Sequence, residues 1–414
     1  MRNVLILCDL FPPAFGPRMG YLCKYIKALG WNPVVLTEAI NENMFTFLTK
    51  ECTAQYISYY PTTRNKYLKK IQWVIIQLLD ICFHYKDRRM VQEAQKLLSK
   101  QSFDLILCST YRTFPLTAAQ KIAQKYQLPW VADLRDIIEQ YTGNEFISHK
   151  IPHLFGLGNF ISKFFKQQNL YTRNQALLSA NAITTVSPWH VKTLYKYNTN
   201  THLIYNGFDP DIFYPEQIKT DQFIITYTGR ILSTAMRDPS LLLQGLAELY
   251  SNKQITPEQC RVHWYVDEAS WQIIKAESQK EGVEVFMDYK GYVAADKIPS
   301  VLNQSSILLL LTNKSSEQGP KGVMTTKFFE SLAVRKPILC VRSDEGVLET
   351  ALLESQAGIA ARQKKEVCSF LLKYINEWKE KGFTTSSIRS EVLQNYSRKE
   401  QAKQFVRIFE NIIQ

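Results

Sequence analysis

The sequence has few cysteines, few glycines and prolines, and no long uninterrupted apolar run. Its eight cysteines are scattered over 414 residues with no C-x-x-C pair, which excludes a small disulfide scaffold and predicts a reduced, cytosolic protein. Sixteen glycines and sixteen prolines are too few for a collagen-like chain. The longest apolar segment, residues 71–83, is interrupted by three polar residues and is shorter than the roughly 20 residues of a membrane-spanning helix. The first residues lack the long apolar stretch of a secretory signal, so we expect neither secretion nor a membrane span.

What the sequence does have is an unevenly placed positive charge. The formal net charge is +12, and residues 1–205 carry all of this excess, with 24 basic and 12 acidic side chains. Residues 206–414 hold 26 of each sign. A basic half joined to a neutral half predicts that the first half meets an anionic surface or substrate, with phospholipid, lipid-linked phosphate and nucleic acid as the candidates.

Strands are predicted to alternate with helices along the whole chain. Short apolar runs are typical of buried parallel strands, and helical patterns lie between them. The runs lie at residues 4–8, 32–37, 105–108, 130–132 and 182–186, and then at 223–227, 262–266, 307–311 and 337–341. A turn-rich stretch at residues 205–210 separates the two series. We therefore predict an α/β protein with two Rossmann-like domains, the number that 414 residues suit.

Several short motifs follow the predicted strands. They are residues 11–20, Ala132-Asp133-Leu134-Arg135-Asp136, Thr185-Val186-Ser187, Ile204-Tyr205-Asn206-Gly207-Phe208-Asp209, Tyr227-Thr228-Gly229-Arg230 and residues 322–339. In their order and spacing the chain resembles the GT-B glycosyltransferases over nearly its whole length. It looks most like the large retaining family that includes bacterial lipopolysaccharide, capsule and phosphatidylinositol-mannoside transferases.

The resemblance implies a fold and a separate binding role for each domain. In the GT-B fold two Rossmann-like domains face each other across a cleft, and the last helix crosses back to the first domain. By this resemblance residues 1–205, with the helix 398–414, form the acceptor-binding domain, and residues 206–397 form the nucleotide-sugar-binding domain. A nucleotide-diphosphate sugar would be the donor substrate, with no cofactor.

The donor diphosphate is expected at the start of a helix after Gly322. The first N–H groups and the dipole of such a helix suit an anion. Thr325 and Thr326 would add hydroxyl donors, and Lys327 would add positive charge. Glu330 matches the second glutamate of the family's paired motif and would bind both ribose hydroxyls. The alternative is an ordinary N-capped surface helix with a solvated Glu330.

The family's first glutamate has no counterpart in this sequence. Eight positions before Glu330 stands Gly322, which offers only a backbone N–H where the family places a carboxylate near the donor sugar. Glu317 is nearby but out of register. The departure leaves the identity of the sugar open, and it also leaves a non-catalytic role open.

Two arginines are expected beside the departing diphosphate. Arg230 follows a predicted strand, and Arg237 lies seven residues further on. Negative charge grows on the phosphate oxygen as the glycosidic bond breaks, so fixed cations stabilise that transition state. The resemblance places an arginine and a lysine here, which Arg230 matches closely and Arg237 loosely. The alternative is that both form surface salt bridges.

The predicted first domain offers two carboxylates after a strand. Asp133 and Asp136 flank Arg135, and one of them could orient the acceptor hydroxyl or take its proton. The alternative is a structural network of these three side chains that caps the next helix.

A glycine-containing loop precedes the first predicted helix. Gly16 and Gly20 resemble the family's loop that lets the backbone approach the donor phosphates, and Arg18 between them is a further phosphate candidate.

Metal binding is not expected. Asp209-Pro210-Asp211 has the D-x-D form of a metal motif in another transferase fold, but the GT-B resemblance places it at the domain boundary. In that fold cationic side chains and helix termini do the work of a metal. The histidines form no ligand pair, since Pro152 breaks the helical face that His149 and His153 would share.

Two basic segments of the first half also contain many aromatic side chains. They are residues 60–90 and 146–173. Such segments suit the surface of an anionic bilayer, and a lipid-linked acceptor would lie there. The alternative is a set of ordinary helices with a solvated basic face. Nucleic acid is not expected, because no nucleic-acid motif accompanies the charge.

These observations predict a cytoplasmic, metal-independent hexosyltransferase that is peripheral on the inner face of the cytoplasmic membrane. It would move a sugar from a nucleotide-diphosphate donor, with retention, to a hydroxyl of a lipid-linked or surface-polysaccharide acceptor. Two alternatives remain: a UDP-sugar 2-epimerase-like enzyme, which needs no acceptor, and a non-catalytic nucleotide-sugar-binding scaffold.

Overall fold

The chain folds into two compact units. A computed structural model describes residues 1–60, 65–140, 158–313 and 321–414, with the backbone alone at residues 158–161. Unit 1 consists of Met1–Tyr205 and Arg398–Gln414, and unit 2 consists of Asn206–Ser397.

Unit 1 contains a parallel sheet with helices along it. Its strands are β1 (Arg2–Cys8), β2 (Trp31–Glu38), β3 (Thr53–Ile57), β4 (Leu105–Thr110), β5 (Trp130–Leu134), β6 (Ala182–Thr185) and β7 (Thr201–Leu203). In space they follow the order β3-β2-β1-β4-β5-β6-β7. Its helices before residue 205 are α1 (Pro17–Ile26), α2 (Lys66–Phe83), α3 (Tyr85–Leu98), α4 (Leu116–Tyr126), α5 (Gly158–Leu178) and α6 (Pro188–Leu194).

Unit 2 repeats this plan with a second parallel sheet. Its strands are β8 (Phe223–Thr228), β9 (Cys260–Tyr265), β10 (Met287–Tyr289), β11 (Ile307–Leu311), β12 (Ile338–Val341) and β13 (Gly358–Ala361). Their order in space is β10-β9-β8-β11-β12-β13. Its helices are α7 (Ser240–Ser251), α8 (Glu268–Lys280), α9 (Ile298–Asn303), α10 (Thr326–Ala333), α11 (Val347–Ser355), α12 (Lys364–Lys381) and α13 (Ser390–Asn395).

The central strands are apolar because both faces of each sheet are covered. In β1 the side chains alternate between two buried clusters, with Leu5 and Leu7 in one and Val4 and Ile6 in the other. All four are fully buried. A strand with a solvated face would need polar residues at every second position, so the continuous apolar run marks a sheet between two helical layers.

The last helix, α14 (Arg398–Ile413), belongs to unit 1. Phe405 and Phe409 from its apolar stripe are buried in the same cluster as Trp31, and the rings of Trp31 and Phe409 lie 5.2 Å apart. This confirms the prediction that the chain returns to its first domain. The predicted class, two parallel α/β domains, is also confirmed.

No helix among the described residues has the length and hydropathy needed to cross a membrane.

Candidate functional site

The predicted donor residues of unit 2 lie at the carboxyl ends of its parallel strands and on the helix that follows β11. Arg230 lies just after β8, and Asn313 lies just after β11. Helix α10 begins at Thr326 after the loop that follows β11. Ligands of open α/β sheets bind at this edge, because the helix N-termini and the loops converge there.

The start of α10 offers backbone donors to a ligand. Thr325 is the extended N-cap residue, with φ −70° and ψ 138°, and Thr326 is the first helical residue. Within the described part of the chain, the Thr325 side chain caps no amide of this first turn. Both threonines are partly exposed, so their hydroxyls and the first amides can meet an anion from solvent.

Lys327 lies against the turn that follows β8. Its Nζ is 5.5 Å from the centre of the Tyr227 ring. Gly229 has φ +119°, and a Cβ at that position would stand 2.5 Å from Lys327 Cε. Glycine is therefore required there for two reasons, its backbone conformation and the close approach of the lysine.

The Lys327 ammonium is held in an unfavourable environment for a cation. Burial and the neighbouring Arg237 lower the pKa of Lys327 to about 8, while Glu330 acts in the opposite direction. Two cations near one helix N-terminus repel each other unless an anion joins them. The arrangement is therefore suited to a ligand of high negative charge density such as a diphosphate.

Arg237 and Arg230 are placed differently. The Arg237 guanidinium donates a hydrogen bond to the backbone carbonyl of Arg230, which also accepts one from the Tyr227 hydroxyl at 3.2 Å. The Arg230 side chain is 67% exposed and pairs with Asp267 at 3.2 Å. Arg237 is thus anchored beside Lys327, whereas Arg230 forms the exposed surface salt bridge that was the alternative to a diphosphate contact.

A residue that the sequence analysis missed holds the loop between these arginines. The Asn313 amide donates to the carbonyls of Thr234 and Ala235 at 2.7 Å and 2.6 Å. The available signal was only that a polar residue follows a buried strand.

The Gly322 position has a conformational reason to be glycine. Its φ is +65°, in the left-handed region that a side chain such as glutamate adopts only with strain. Glu330 lies one turn after Lys327 on α10 and is partly buried. Glu317 lies outside the described residues.

In unit 1, Asp133 and Arg18 form a buried ion pair. Asp133 is fully buried, and Arg18 is 4% exposed. The Asp133 carboxylate accepts hydrogen bonds from Arg18 at 2.9 Å and 3.1 Å, from Ser109 at 2.7 Å and from Thr184 at 2.8 Å. Burial alone would raise the Asp133 pKa, but Arg18 and these hydrogen bonds lower it below its ordinary value.

Arg18 connects several parts of unit 1. Besides Asp133 it donates to the backbone carbonyls of Tyr205 and Ile204, each at 2.9 Å, and its guanidinium lies 5.3 Å from the Phe405 ring centre. It therefore fixes α1, β5, the end of the 201–205 segment and α14 to one another. This geometry favours a structural role over phosphate binding for Arg18. Asp133 is in a structural network as well, but with Arg18, Ser109 and Thr184 rather than with Arg135 and Asp136.

The glycines of the first loop serve close packing. A Cβ at Gly16 would stand 2.5 Å from the Leu10 carbonyl oxygen, and one at Gly20 would stand 3.0 Å from Leu48 and Pro12 side-chain atoms. Both glycines are buried. Their positions are explained by packing within unit 1.

Asp136 has a different environment from Asp133. It lies after β5 and is partly exposed. Burial raises the Asp136 pKa to about 6, and Asp9 adds to this effect while Arg135 and Gln140 oppose it. Arg135 itself is ion-paired with Asp9. A carboxylate whose pKa lies near neutrality is suited to accept a proton.

The Asp209-Pro210-Asp211 sequence forms a turn. Asp209 is 1% exposed, and its carboxylate accepts the Asp211 amide at 3.1 Å. Within the described residues no group of three or more His, Cys, Asp or Glu side chains could hold a metal ion. His149 and His153 lie outside those residues.

Comparison with known proteins gives structural neighbours only. No protein-family model matches the chain, and no curated protein does. Anabaena HepE, solved with UDP and glucose, is 15% identical with a TM-score of 0.65, and the match covers 99% of this chain and 100% of HepE.

Two further structures match along their whole length. A glycosyltransferase from Rickettsia africae is 13% identical with a TM-score of 0.65, and the match covers 100% of this chain and 99% of that transferase. UDP-GlcNAc 2-epimerase from Methanocaldococcus jannaschii is 11% identical with a TM-score of 0.54, and the match covers 99% of this chain and 100% of the epimerase. The chain therefore has the fold of the GT-B glycosyltransferases.

Proposed function

We propose that this protein is a glycosyltransferase that uses a nucleotide-diphosphate sugar. The observation that carries the proposal is the pair of cations, Lys327 and Arg237, beside the N-terminus of α10. The proposal is supported by the fold, and by structural neighbours that include HepE, solved with UDP and glucose, and a glycosyltransferase from Rickettsia africae.

The donor would be held entirely by residues of unit 2. The diphosphate lies against the first amides of α10 and the hydroxyls of Thr325 and Thr326, with Lys327 and Arg237 neutralising its charge. The exposed Arg230 side chain would also contact the diphosphate. As the bond between sugar and phosphate breaks, these cations stabilise the growing charge on the leaving oxygen without a metal.

Glu330 would recognise the ribose. It lies on α10 about one turn beyond the first amides, and a carboxylate can accept hydrogen bonds from two adjacent hydroxyls. Gly322 leaves the sugar itself to be held by backbone and by other side chains.

The acceptor would be bound by unit 1, with Asp136 orienting its hydroxyl and taking its proton. Asp136 is preferred to Asp133 because its pKa is raised towards neutrality and it is partly exposed. We propose a hexosyl group, transfer with retention, and a lipid-linked or surface-polysaccharide acceptor, in line with the sequence motifs.

Binding of a nucleotide diphosphate tests the donor site directly. At 100 times its dissociation constant the right nucleotide should stabilise unit 2 by roughly 2.7 kcal/mol, which a melting experiment detects easily. UDP, GDP, dTDP, ADP and CMP form the panel. We expect one diphosphate to raise the melting temperature and Glu330→Ala to remove most of this shift.

The matched control is Glu391→Ala, because Glu391 is an exposed glutamate in the first turn of α13 of the same unit. It should leave the nucleotide shift unchanged. A panel in which no nucleotide changes the melting temperature would contradict the proposed donor site.

A second candidate function is a UDP-sugar 2-epimerase, favoured by the epimerase among the structural neighbours. Nucleotide-sugar consumption with and without membrane extract separates the possibilities. A transferase consumes donor rapidly only when extract supplies the acceptor, an epimerase converts it without extract, and a binding scaffold consumes none.

Helix α2 supports a membrane-surface location for the acceptor side. Ile76 is its one buried side chain, although most of its residues are apolar. Its large exposed apolar side chains are Tyr67, Leu68, Ile71, Trp73, Val74, Ile75, Leu78 and Phe83. Lys66, Lys69 and Lys70 lie at its start. We propose that α2 lies on an anionic bilayer, its apolar side chains inserted and its lysines on the headgroups.

The second basic segment, residues 146–173, is only partly described. Phe164 and Tyr171 on α5 are 61% and 67% exposed. Residues 146–157, like residues 61–64 of the first segment, lie outside the described part of the chain.

The membrane proposal predicts a large effect from the stripe of α2 formed by residues 71, 75 and 78. Changing Ile71, Ile75 and Leu78 to serine should weaken binding to vesicles containing phosphatidylglycerol by roughly 100-fold, about 1 kcal/mol per side chain. Vesicle sedimentation at several salt concentrations measures it. Leu232→Ser with Leu353→Ser, two exposed leucines of unit 2, should leave vesicle binding intact. Equal binding by all variants would contradict the proposal.

A further inference from the structure

Two arginines contact one tyrosine ring at the carboxyl ends of β4 and β5 in unit 1. Tyr111 and Arg112 follow the last residue of β4, and Arg135 follows the last residue of β5. These strands are neighbours in the sheet, and the Arg135 amide donates to the Thr110 carbonyl at 3.0 Å. The guanidinium carbons of Arg112 and Arg135 lie 4.7 Å and 5.4 Å from the centre of the Tyr111 ring. Both cationic groups therefore lie around a single ring.

The two arginines differ in their counter-charges. Arg135 is paired with Asp9, whose carboxylate also accepts hydrogen bonds from the Leu10 amide at 2.8 Å and the Thr110 hydroxyl at 3.0 Å. Arg112 is partly buried, and within the described chain no carboxylate forms an ion pair with it. Its Nε is buried without a hydrogen-bond partner there, as is Arg135 Nε. Arg112 thus brings a positive charge that no described side chain pairs with.

A partly buried guanidinium without a counter-charge is suited to an oxyanion from solution. Removing a cation from water costs free energy unless an anion or hydrogen-bond acceptors replace the water. The planar guanidinium fork matches two phosphate oxygens, and contact with an aromatic ring restricts its orientation. Ligands of open parallel sheets bind at this edge, and Asp136 directly follows Arg135 there. A phosphate beside Arg112 would therefore lie in the region where the acceptor hydroxyl is expected.

We propose that Arg112 and Arg135 form an anion site that binds a phosphate or diphosphate group of the acceptor. Arg112 supplies the unpaired charge, and Arg135 shares its guanidinium between Asp9 and the ligand. The bound phosphate would place the acceptor hydroxyl at Asp136. The existence of the anion site does not depend on the proposed function, but its assignment to the acceptor of a glycosyltransferase rests on that function.

Hydrogen exchange in the full-length protein locates the anion without any assay of activity, with inorganic pyrophosphate as the probe. At saturation pyrophosphate should slow amide exchange in peptides covering residues 109–116 and 133–137, because a bound anion stabilises both chain segments. The nucleotide diphosphate that stabilises unit 2 should leave these peptides unchanged. No pyrophosphate effect in either peptide would overturn the anion site, and an equal effect of the nucleotide would overturn its assignment to the acceptor.

Variants of Arg112 test its part in the site, with Kd read from the pyrophosphate concentration that slows exchange in residues 109–116. Arg112→Met removes the charge and should raise this Kd by roughly 10- to 100-fold, the loss expected for charge-assisted hydrogen bonds. Arg112→Lys keeps the charge without the fork and should give an intermediate Kd. Arg88→Met, at an exposed arginine on α3 of the same unit, should leave Kd unchanged. Unchanged affinity in Arg112→Met, or an equal loss in Arg88→Met, would contradict the proposal.

The phosphate could belong to a lipid diphosphate or to a phosphorylated sugar, and two further probes separate these sources. Geranyl diphosphate and glucose 6-phosphate are each titrated in place of pyrophosphate, and the same peptides are followed. Tighter binding of geranyl diphosphate would support a lipid-linked acceptor, and tighter binding of glucose 6-phosphate would support a phosphorylated glycan. Protection by neither compound would overturn the acceptor role of the site.

The transferase assay gives a separate readout. With membrane extract as the source of acceptor, Arg112→Met should raise the amount of extract needed for half-maximal rate by roughly 10-fold or more, while the KM for the donor stays the same. Pyrophosphate binding at residues 109–116 in a protein without transferase activity would refute the proposed function and leave the anion site standing. An active Arg112→Met protein with an unchanged need for extract would refute the acceptor role.

Discussion

Changing Lys327 to methionine should lower kcat by roughly 10²–10³-fold, the loss expected when one fixed donor to a developing negative charge is removed. Methionine keeps the length of the side chain and its packing against Gly229, so the effect reports the lost charge. Turnover of the nucleotide-sugar whose nucleotide raises the melting temperature, measured with membrane extract, gives the value.

Lys336→Met is a matched control for this result. Lys336 is buried in the same unit, and burial lowers its pKa to about 8, as for Lys327, but it lies after α10 and away from the carboxyl ends of the strands. Its loss should leave kcat unchanged. Equal loss of activity in both variants would mean that the Lys327 effect is general destabilisation.

The lowered Lys327 pKa also fixes the sign of a pH effect. A diphosphate binds the protonated ammonium more tightly, so nucleotide affinity should be constant below pH 7 and should weaken as pH rises through about 8. Lys327→Arg keeps its charge at these pH values and should bind without this alkaline decline. Calorimetric titrations at pH 7 and 9 compare the two proteins.

Much of the fold could be predicted because buried parallel strands have a simple signature. Each of the central strands β1, β4, β8 and β11 contains a run of at least three apolar residues, since both faces of each sheet are covered. The strands that the sequence did not reveal are the four edge strands of the two sheets, β3, β7, β10 and β13. β3 has an exposed Thr53, and β10 has only three residues. Edge strands have a less apolar pattern because each has a neighbouring strand on one side only and is therefore more exposed to solvent.

The local part of the proposed donor site could also be predicted from the sequence. Thr325, Thr326, Lys327 and Glu330 lie within six consecutive residues, and a helix start brings such residues together whatever the rest of the chain does. The contact of Lys327 with Gly229 and its proximity to Arg237 could not be predicted, because they depend on how β8 and α10 pack about 90 residues apart.

The residues of unit 1 show that the sequence alone does not reveal the surroundings of a charged side chain. Asp133 and Asp136 are three residues apart and are identical in type, yet one is saturated by four donors and the other keeps a raised pKa. The difference arises from Arg18, Ser109 and Thr184, which only the folded sheet brings to Asp133.

Changing Arg18 to methionine should destabilise unit 1 by about 3–5 kcal/mol, because it leaves the buried Asp133 carboxylate without its counter-ion. Peptide-resolved hydrogen exchange should show β5 amides opening at least 100-fold more often, while unit 2 is unaffected. Arg18→Met with Asp133→Leu should recover part of the loss, since replacing both partners removes the unpaired charge. Nucleotide binding by unit 2 should persist in both variants. If Arg18→Met instead left exchange in β5 unchanged and abolished nucleotide binding, Arg18 would be a phosphate ligand, and the buried pair would not be what holds unit 1 together.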